Sequence, residues 1–86
     1  MSADMSEDVL LGRIQKAFKR AFGPRVAFHE GVDRVHESRW TSLKHVEFLV
    51  ALEQEFGLRF DGTDATDLVS IKAVRDRVAT RLAATQ

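Results

Sequence analysis

Helical periodicity is the feature that most constrains this chain. Over residues 6–22, apolar side chains recur at steps of three and four, as they do on one face of an α-helix. Ser6 and Glu7 suit the start of this helix, because a side-chain oxygen caps free N–H groups and an acid favours the positive end of the helix dipole. Gly23 and Pro24 suit its end, since Gly tolerates a left-handed cap and Pro cannot continue the hydrogen-bond ladder. The apolar face comprises Val9, Leu10, Ile14, Ala17, Phe18, Ala21 and Phe22.

A second helix is predicted over residues 42–56, with Gly57 as its left-handed terminator. We expect it to bury one apolar stripe. Phe48 lies at the margin of that stripe, where it is either a core residue or an exposed contact. The stripe comprises Leu43, Val46, Leu49, Val50 and Phe56.

The rest of the chain predicts a long loop between the first two helices, and then one short helix and one longer helix after the second helix. Residues 64–68 suggest a short helical turn capped by Thr63 or Asp64, and a last helix begins after Ser70. Residues 25–41 lack sustained periodicity and read as a loop, and a loop of this length is either functional or ordered by its own packing. Its apolar anchors are Val26, Phe28, Val32 and Val35, and the inward face of the last helix comprises Ile71, Val74, Val78 and Leu82.

These elements predict an all-α fold: a bundle of three longer helices and one short helix in a single domain, residues 1–86. Residues 1–5 are expected to form a disordered tail. A chain of 86 residues buries only about 60–65% of its unfolded surface, which disfavours a deep enclosed active site. We expect the core to include Phe18, Leu49, Phe56, Ile71 and Val74.

The composition excludes several kinds of site and argues against some kinds of partner. The chain has no Cys, which excludes disulfides, thiolate zinc sites and cysteine nucleophiles, and its His, Asp and Glu show no metal-ligand spacing. The N-terminus is acidic and polar, unlike a secretory signal, and no apolar run approaches the roughly 20 residues that cross a bilayer. We therefore expect a cytoplasmic protein that does not bind a membrane. We also expect it to be a monomer.

Charge is balanced overall but unevenly distributed. Residues 10–25 carry five cations and no acid, whereas residues 42–67 carry six acids and two cations, a local charge of −4. The cations of the first helix could form one basic side, but zero net charge and the lack of a recognition motif favour a solvated face over nucleic-acid binding. The acidic segment favours docking of a partner with complementary charge.

The second helix and its start carry a recognisable motif. A Ser-Leu pair, Ser42 and Leu43, opens the helix, and Glu53, Glu55, Phe56 and Gly57 close it in the pattern Glu-x-Glu-Phe-Gly. This motif and the order of helices resemble the acyl carrier protein and peptidyl carrier protein family. The resemblance covers nearly the whole chain in architecture and mainly residues 40–60 in motif.

The resemblance implies a four-helix carrier-protein bundle that is not itself an enzyme. By this resemblance, Ser42 is the attachment site of a covalent 4'-phosphopantetheine arm derived from coenzyme A. The thiol of such an arm holds an acyl or aminoacyl cargo as a thioester, and the interior between helices can sequester an acyl chain. The implied partners are a phosphopantetheinyl transferase, an acyl- or aminoacyl-loading ligase, and downstream transferases or synthases of lipid, fatty acid, polyketide or nonribosomal peptide assembly.

Carrier proteins usually dock their partners through the acidic second helix, so the resemblance also implies a docking surface. Trp40 precedes the motif, as in carriers of specialised pathways; its ring either closes over the core or borders the arm and partner. The implied docking residues are Trp40, Thr41, Leu43, Lys44, Val46, Glu47, Glu53 and Glu55.

Two positions depart from the family pattern and keep an alternative open. Thr41 stands where the family usually has Asp, and Lys44 stands where it usually has an acid. Thr can still cap the helix, but Lys44 opposes the helix dipole. Both changes favour a carrier-like interaction module that is never modified. His45, three residues after Ser42, is a weak candidate for a catalytic base, because no pocket or orienting acid accompanies it.

Overall fold

A computed structural model of the chain describes residues 6–84. The expected disordered tail, residues 1–5, lies outside the described residues. The radius of gyration is 12.3 Å, close to the ~12 Å expected for a compact chain of this length. No helix within residues 6–84 has the length and apolar character needed to cross a bilayer. The helices are α1 (Glu7–Phe22), α2 (Ser42–Phe56), α3 (Gly62–Asp67) and α4 (Ile71–Ala84).

Helix α1 begins and ends at the predicted residues. Ser6 Oγ accepts a hydrogen bond from Val9 N at 3.2 Å, and Gly23, at φ +83°, donates from its N–H to Lys19 O. One predicted member of its apolar face, Val9, is exposed. The buried face comprises Leu10, Ile14, Ala17, Phe18, Ala21 and Phe22.

Helix α2 has the predicted bounds. Leu49 and Phe56 of its predicted stripe are buried, but the prediction was wrong for the other three members. Leu43, Val46 and Val50 are 67%, 57% and 44% exposed. The helix has two apolar stripes. The stripe that contains Phe48 faces α1, because the Phe48 ring packs against the rings of Phe18 and other core residues. The buried residues of α2 are His45, Phe48, Leu49, Ala51, Leu52 and Phe56.

Aromatic rings fill the space between α1 and α2. The centroid of the Phe18 ring lies 4.4 Å from that of Phe22 and 5.5 Å from that of Phe48. The Trp40 ring packs edge-on at 5.4 Å from Phe22 and 5.6 Å from Phe48. An acyl chain could enter between these two helices only by moving the rings apart, because protein cores are close-packed. The five residues expected in the core are all buried.

Helix α3 begins two residues earlier than predicted, at Gly62 rather than residue 64. Asp61, rather than Thr63 or Asp64, is the N-cap. Its carboxylate accepts from Asp64 N at 2.9 Å, and the Asp64 carboxylate accepts from Asp61 N at 3.0 Å. This reciprocal capping box satisfies two otherwise free N–H groups, which favours Asp61 as the cap.

Helix α4 begins after Ser70, as predicted, and the segment between α1 and α2 is tied to its start. Ser70 Oγ accepts from Ala73 N at 3.0 Å. An isolated antiparallel bridge joins Asp33 to Ser70. Val35, expected to anchor the segment, is exposed because the turns around it point its side chain to solvent. The other three anchors and the predicted face of α4 are buried or partly buried: Val26, Phe28, Val32, Ile71, Val74, Val78 and Leu82.

Candidate functional site

Ser42 is the first residue of α2, and it is exposed. The N-cap is Thr41, whose Oγ1 accepts from Lys44 N at 3.2 Å. The Ser42 hydroxyl therefore has no part in capping the helix. Its Oγ accepts one hydrogen bond, from Arg34 Nη2 at 2.9 Å. The structure thus presents this hydroxyl at the surface next to a guanidinium group.

His45 does not face the Ser42 hydroxyl. It is 5% exposed, and both ring nitrogens are bonded elsewhere. Nδ1 lies 2.9 Å from Trp40 Nε1, and Nε2 lies 2.6 Å from Ala65 O. Because indole N–H only donates, Nδ1 is the acceptor, and Nε2 carries the proton that Ala65 O accepts. The imidazole joins the start of α2 to α3 and has no free lone pair with which to act as a base.

Trp40 is buried against the aromatic core. This placement agrees with the interpretation that its ring closes the core where the segment from α1 meets α2. A docking partner would not reach the ring, because Phe22, Phe48 and His45 pack around it. The indole instead holds His45 in place through its N–H group.

The three acids expected to dock a partner differ in their surroundings. Glu47 is exposed and pairs with Lys44 Nζ at 3.2 Å on the same helix. Glu53 Oε2 accepts from Phe60 N at 2.7 Å and so stabilises the turn after α2. Glu55 is bonded across to α1. Of these three acids, only Glu47 is thus exposed, and it is paired with a neighbour on its own helix.

Glu55 forms the main polar link between α1 and α2. Its carboxylate accepts from Arg13 Nε at 3.0 Å and from Arg20 Nη2 at 3.2 Å, and its side chain is 12% exposed. The hydrogen bond from Arg13, with the nearby charges of Lys16 and Arg20, holds the pKa of Glu55 below its ordinary value. The Arg13 guanidinium also stacks over the Phe56 ring at 4.6 Å.

The exposed side of α2 is apolar near Ser42. Leu43, Val46 and Val50 follow one another at steps of three and four residues, so they form one stripe along the helix. We call these three residues the exposed stripe. A groove of about 430 Å³ lies between this side of α2 and α1. It is lined by Arg20, Ala21, Lys44, Val46, Glu47, Val50, Ala51 and Gln54.

Arg34 and the cluster around Asp64 were not predicted from the sequence. Arg34 lies in the segment before α2, and nothing in its local sequence indicated contact with Ser42. Asp64 is buried and bonded to Arg77 and Arg81 of α4. The spacing of the two arginines on one helix face is the only hint of that cluster. Among residues 6–84, no group of His, Asp and Glu is arranged to hold a metal ion.

Comparison with protein-family models, with curated proteins and with solved structures found no match. The residues and contacts of this chain are therefore the observations that bear on its function. Three of these contribute most. They are the exposed hydroxyl of Ser42, the guanidinium of Arg34 beside it, and the exposed stripe on the same helix.

Proposed function

We propose that this chain is an acyl or aminoacyl carrier protein with the four-helix bundle and long first loop of that family. Ser42 is the attachment residue for a 4'-phosphopantetheine arm. The observation that carries this proposal is a surface hydroxyl at the first residue of α2 that is not needed to cap the helix. Esterification of this hydroxyl leaves the Thr41 cap intact, so the helix tolerates the modification.

The residues around Ser42 fit such an arm. The hydroxyl is exposed, and the one described group bonded to it is a cation, which suits the negative charge of a phosphodiester. Attachment forms a bond between Ser42 Oγ and a phosphorus of coenzyme A and breaks the phosphoanhydride bond. Adenosine 3',5'-bisphosphate leaves, and a base of the transferase takes the hydroxyl proton. The arm, once attached, supplies a thiol that holds the cargo as a thioester.

The chain itself has no catalytic role in this proposal. A nucleophilic serine needs a base within hydrogen-bond reach, and both ring nitrogens of His45 are bonded to other groups. The base therefore comes from the partner enzyme. This division of roles is consistent with a small domain that presents its site at the surface.

The docking surface that we propose is narrower than the sequence implied. Leu43, Val46 and Val50 provide apolar contact, and Glu47 and Lys44 provide charge beside it. Glu53 and Glu55 are occupied within the chain, so they contribute to the shape of the helix rather than to partner contact. The partners are a phosphopantetheinyl transferase, a loading ligase and downstream synthases, acting on a monomeric carrier in the cytoplasm.

Intact-protein mass spectrometry tests the proposal. The full chain is incubated with coenzyme A and a broad-specificity phosphopantetheinyl transferase, alongside Ser42→Ala and Ser38→Ala variants. Ser38 is the matched control, because it is an exposed serine in the segment just before α2. We expect the wild type and Ser38→Ala each to gain one phosphopantetheinyl group and Ser42→Ala to gain none.

A second candidate is the unmodified carrier-like interaction module. The exposed stripe favours it, since an apolar surface on a helix can bind a partner without any arm. The same mass measurement separates the two candidates. No gain with several transferases of different origin would contradict the carrier proposal and favour the interaction module.

A further inference from the structure

The backbone of Arg34 is held in place by the start of α4. Arg34 N donates to Val69 O at 2.8 Å, and Ile71 N donates to Val32 O at 3.0 Å. Between these two hydrogen bonds lies the bridge of Asp33 with Ser70. The position of Arg34 relative to the rest of the chain is therefore set by main-chain contacts on either side of it.

The guanidinium of Arg34 has one bonded partner among residues 6–84, and that partner is the Ser42 hydroxyl. The carboxylate nearest in sequence, Asp33, is occupied by His36, whose N lies 2.8 Å and whose Nδ1 lies 2.9 Å from Asp33 Oδ1. These contacts from His36 lower the pKa of Asp33 and keep it anionic. Asp33 nevertheless forms no ion pair with Arg34, the next residue in the sequence.

Other arginines of the chain show what a guanidinium does when a carboxylate is in reach. Arg75 bonds Glu30 and Asp76, and Arg81 bonds both oxygens of Asp64. Arg34 instead donates to a neutral oxygen, although a guanidinium has five N–H donors and a geometry suited to anions with two oxygens. A full positive charge therefore lies next to Ser42 with donors to spare.

We propose that Arg34 binds the phosphate group through which the arm is joined to Ser42. This inference rests on the proposed function. In the modified protein, the Ser42 oxygen bonded to Arg34 becomes an ester oxygen, and the two charged phosphate oxygens lie one bond beyond the phosphorus. The N–H groups of Arg34 would hold these oxygens, because a guanidinium suits an anion with two oxygens. Arg34 thereby fixes the first bonds of the arm and the direction in which it leaves α2.

Phosphorus and nitrogen NMR of the loaded protein test this contact directly. The wild type, Arg34→Gln and Arg39→Gln are loaded with the transferase and coenzyme A, and loading is checked by mass. Arg39 is the matched control, because it is an exposed arginine of the same segment with no side-chain partner in the described part of the chain. The ³¹P shift reports the surroundings of the phosphodiester, and the Arg34 Nε–Hε signal reports the guanidinium.

We expect the ³¹P signals of the wild type and Arg39→Gln to coincide. The ³¹P signal of loaded Arg34→Gln should move towards the ³¹P signal that the loaded wild type gives when it is unfolded in urea. The Arg34 Nε–Hε signal, assigned by its absence from unloaded Arg34→Gln, should shift when the wild type is loaded. Coincident ³¹P signals in all three proteins, with an unmoved Nε–Hε signal, would overturn the inference.

The loading results and the NMR signals together separate three outcomes. If the transferase fails to load Arg34→Gln, the Nε–Hε signal of the loaded wild type decides: a shift supports the contact and an unmoved signal overturns it. If no protein gains mass, the proposed function fails and this inference fails with it. A gain in mass without any NMR change overturns the Arg34 contact alone.

Discussion

Ser42 and His45 lie three residues apart on α2, yet the first is exposed and the second is buried. Proximity in sequence therefore does not make them a catalytic pair. The imidazole is fully occupied by Trp40 and Ala65, which makes it a structural polar residue. At this scale, the exposed hydroxyl of Ser42 and the buried contacts of His45 are separate features of one helix.

The structural role of His45 leads to a stability prediction. In His45→Phe, the ring shape is nearly kept, but the buried Trp40 Nε1 and the partly buried Ala65 O lose the partner that His45 provides. We expect the free energy of unfolding to fall by about 2–4 kcal/mol, because each unsatisfied buried group costs about 1–3 kcal/mol. Urea denaturation followed by Trp40 fluorescence measures the change.

His36→Gln is the control for that experiment, since His36 is exposed. It should leave the urea midpoint close to that of the wild type. A fully stable His45→Phe protein that cannot be loaded would contradict the structural role and point instead to a chemical one.

At the scale of helix α2, neighbouring hydroxyls have separate roles. Thr41→Ala removes the cap that Lys44 N uses and should lower the free energy of unfolding by about 1 kcal/mol. Ser42→Ala removes a hydroxyl that caps nothing and should leave the unfolding curve near that of the wild type. Thermal unfolding followed by circular dichroism compares the two variants. Equal losses would show that Ser42 also supports the helix.

The acids of α2 also separate into structural and surface groups. Glu55→Gln weakens the contacts with Arg13 and Arg20, so we expect a loss of about 1 kcal/mol in unfolding free energy. Glu47→Gln should leave stability unchanged and alter only the KM of loading by a transferase. Parallel urea curves and loading kinetics distinguish these effects. An altered KM for folded Glu55→Gln would show that Glu55 does contact the partner.

On the scale of the whole molecule, Asp64 makes the stability of the fold depend on pH. Burial would raise its pKa, but hydrogen bonds from Asp61 N–H, Arg81 and Arg77 outweigh burial and lower the pKa below its ordinary value of 3.8. A carboxyl whose pKa is lowered by folding stabilises the fold above its unfolded pKa, and this contribution is lost as pH falls through the folded value. Glu55 acts in the same direction.

We therefore expect the melting temperature to fall steeply as pH drops below about 4. Asp64→Asn should be less stable at neutral pH by about 2–3 kcal/mol, because Arg77 and Arg81 lose their charged partner. Its stability should also change less in acid than that of the wild type. Thermal melts across the pH range measure both effects. Identical acid profiles for the two proteins would contradict this role of Asp64.

Much of the architecture was predictable from local sequence. Periodicity and capping residues predicted α1, α2 and α4, because these signals act within a few residues of the chain. The side of α2 that is buried was not predictable in this way, because both sides of the helix carry apolar residues. Packing against Phe18 decides which side is buried, and that contact comes from another helix.

The site was predictable only in part. Ser42 was marked by its motif and by its place at a helix start. Arg34 was not, because hydrogen bonds to Val69 and the bridge at Ser70 bring it there from a segment without a motif. The bonding of Glu55 to α1 likewise depends on a tertiary contact that no local pattern contains, whereas Glu53 is bonded within the turn that follows α2.

The position of the arm is the most direct test of the central claim. Trypsin cleaves after Arg39 and Lys44, so one short peptide, residues 40–44, contains both Thr41 and Ser42. Fragmentation of this peptide from the loaded protein distinguishes the two hydroxyls. We predict the added phosphopantetheinyl group on Ser42 alone. An unmodified peptide, or a group on Thr41, would contradict the assignment of Ser42 as the carrier site.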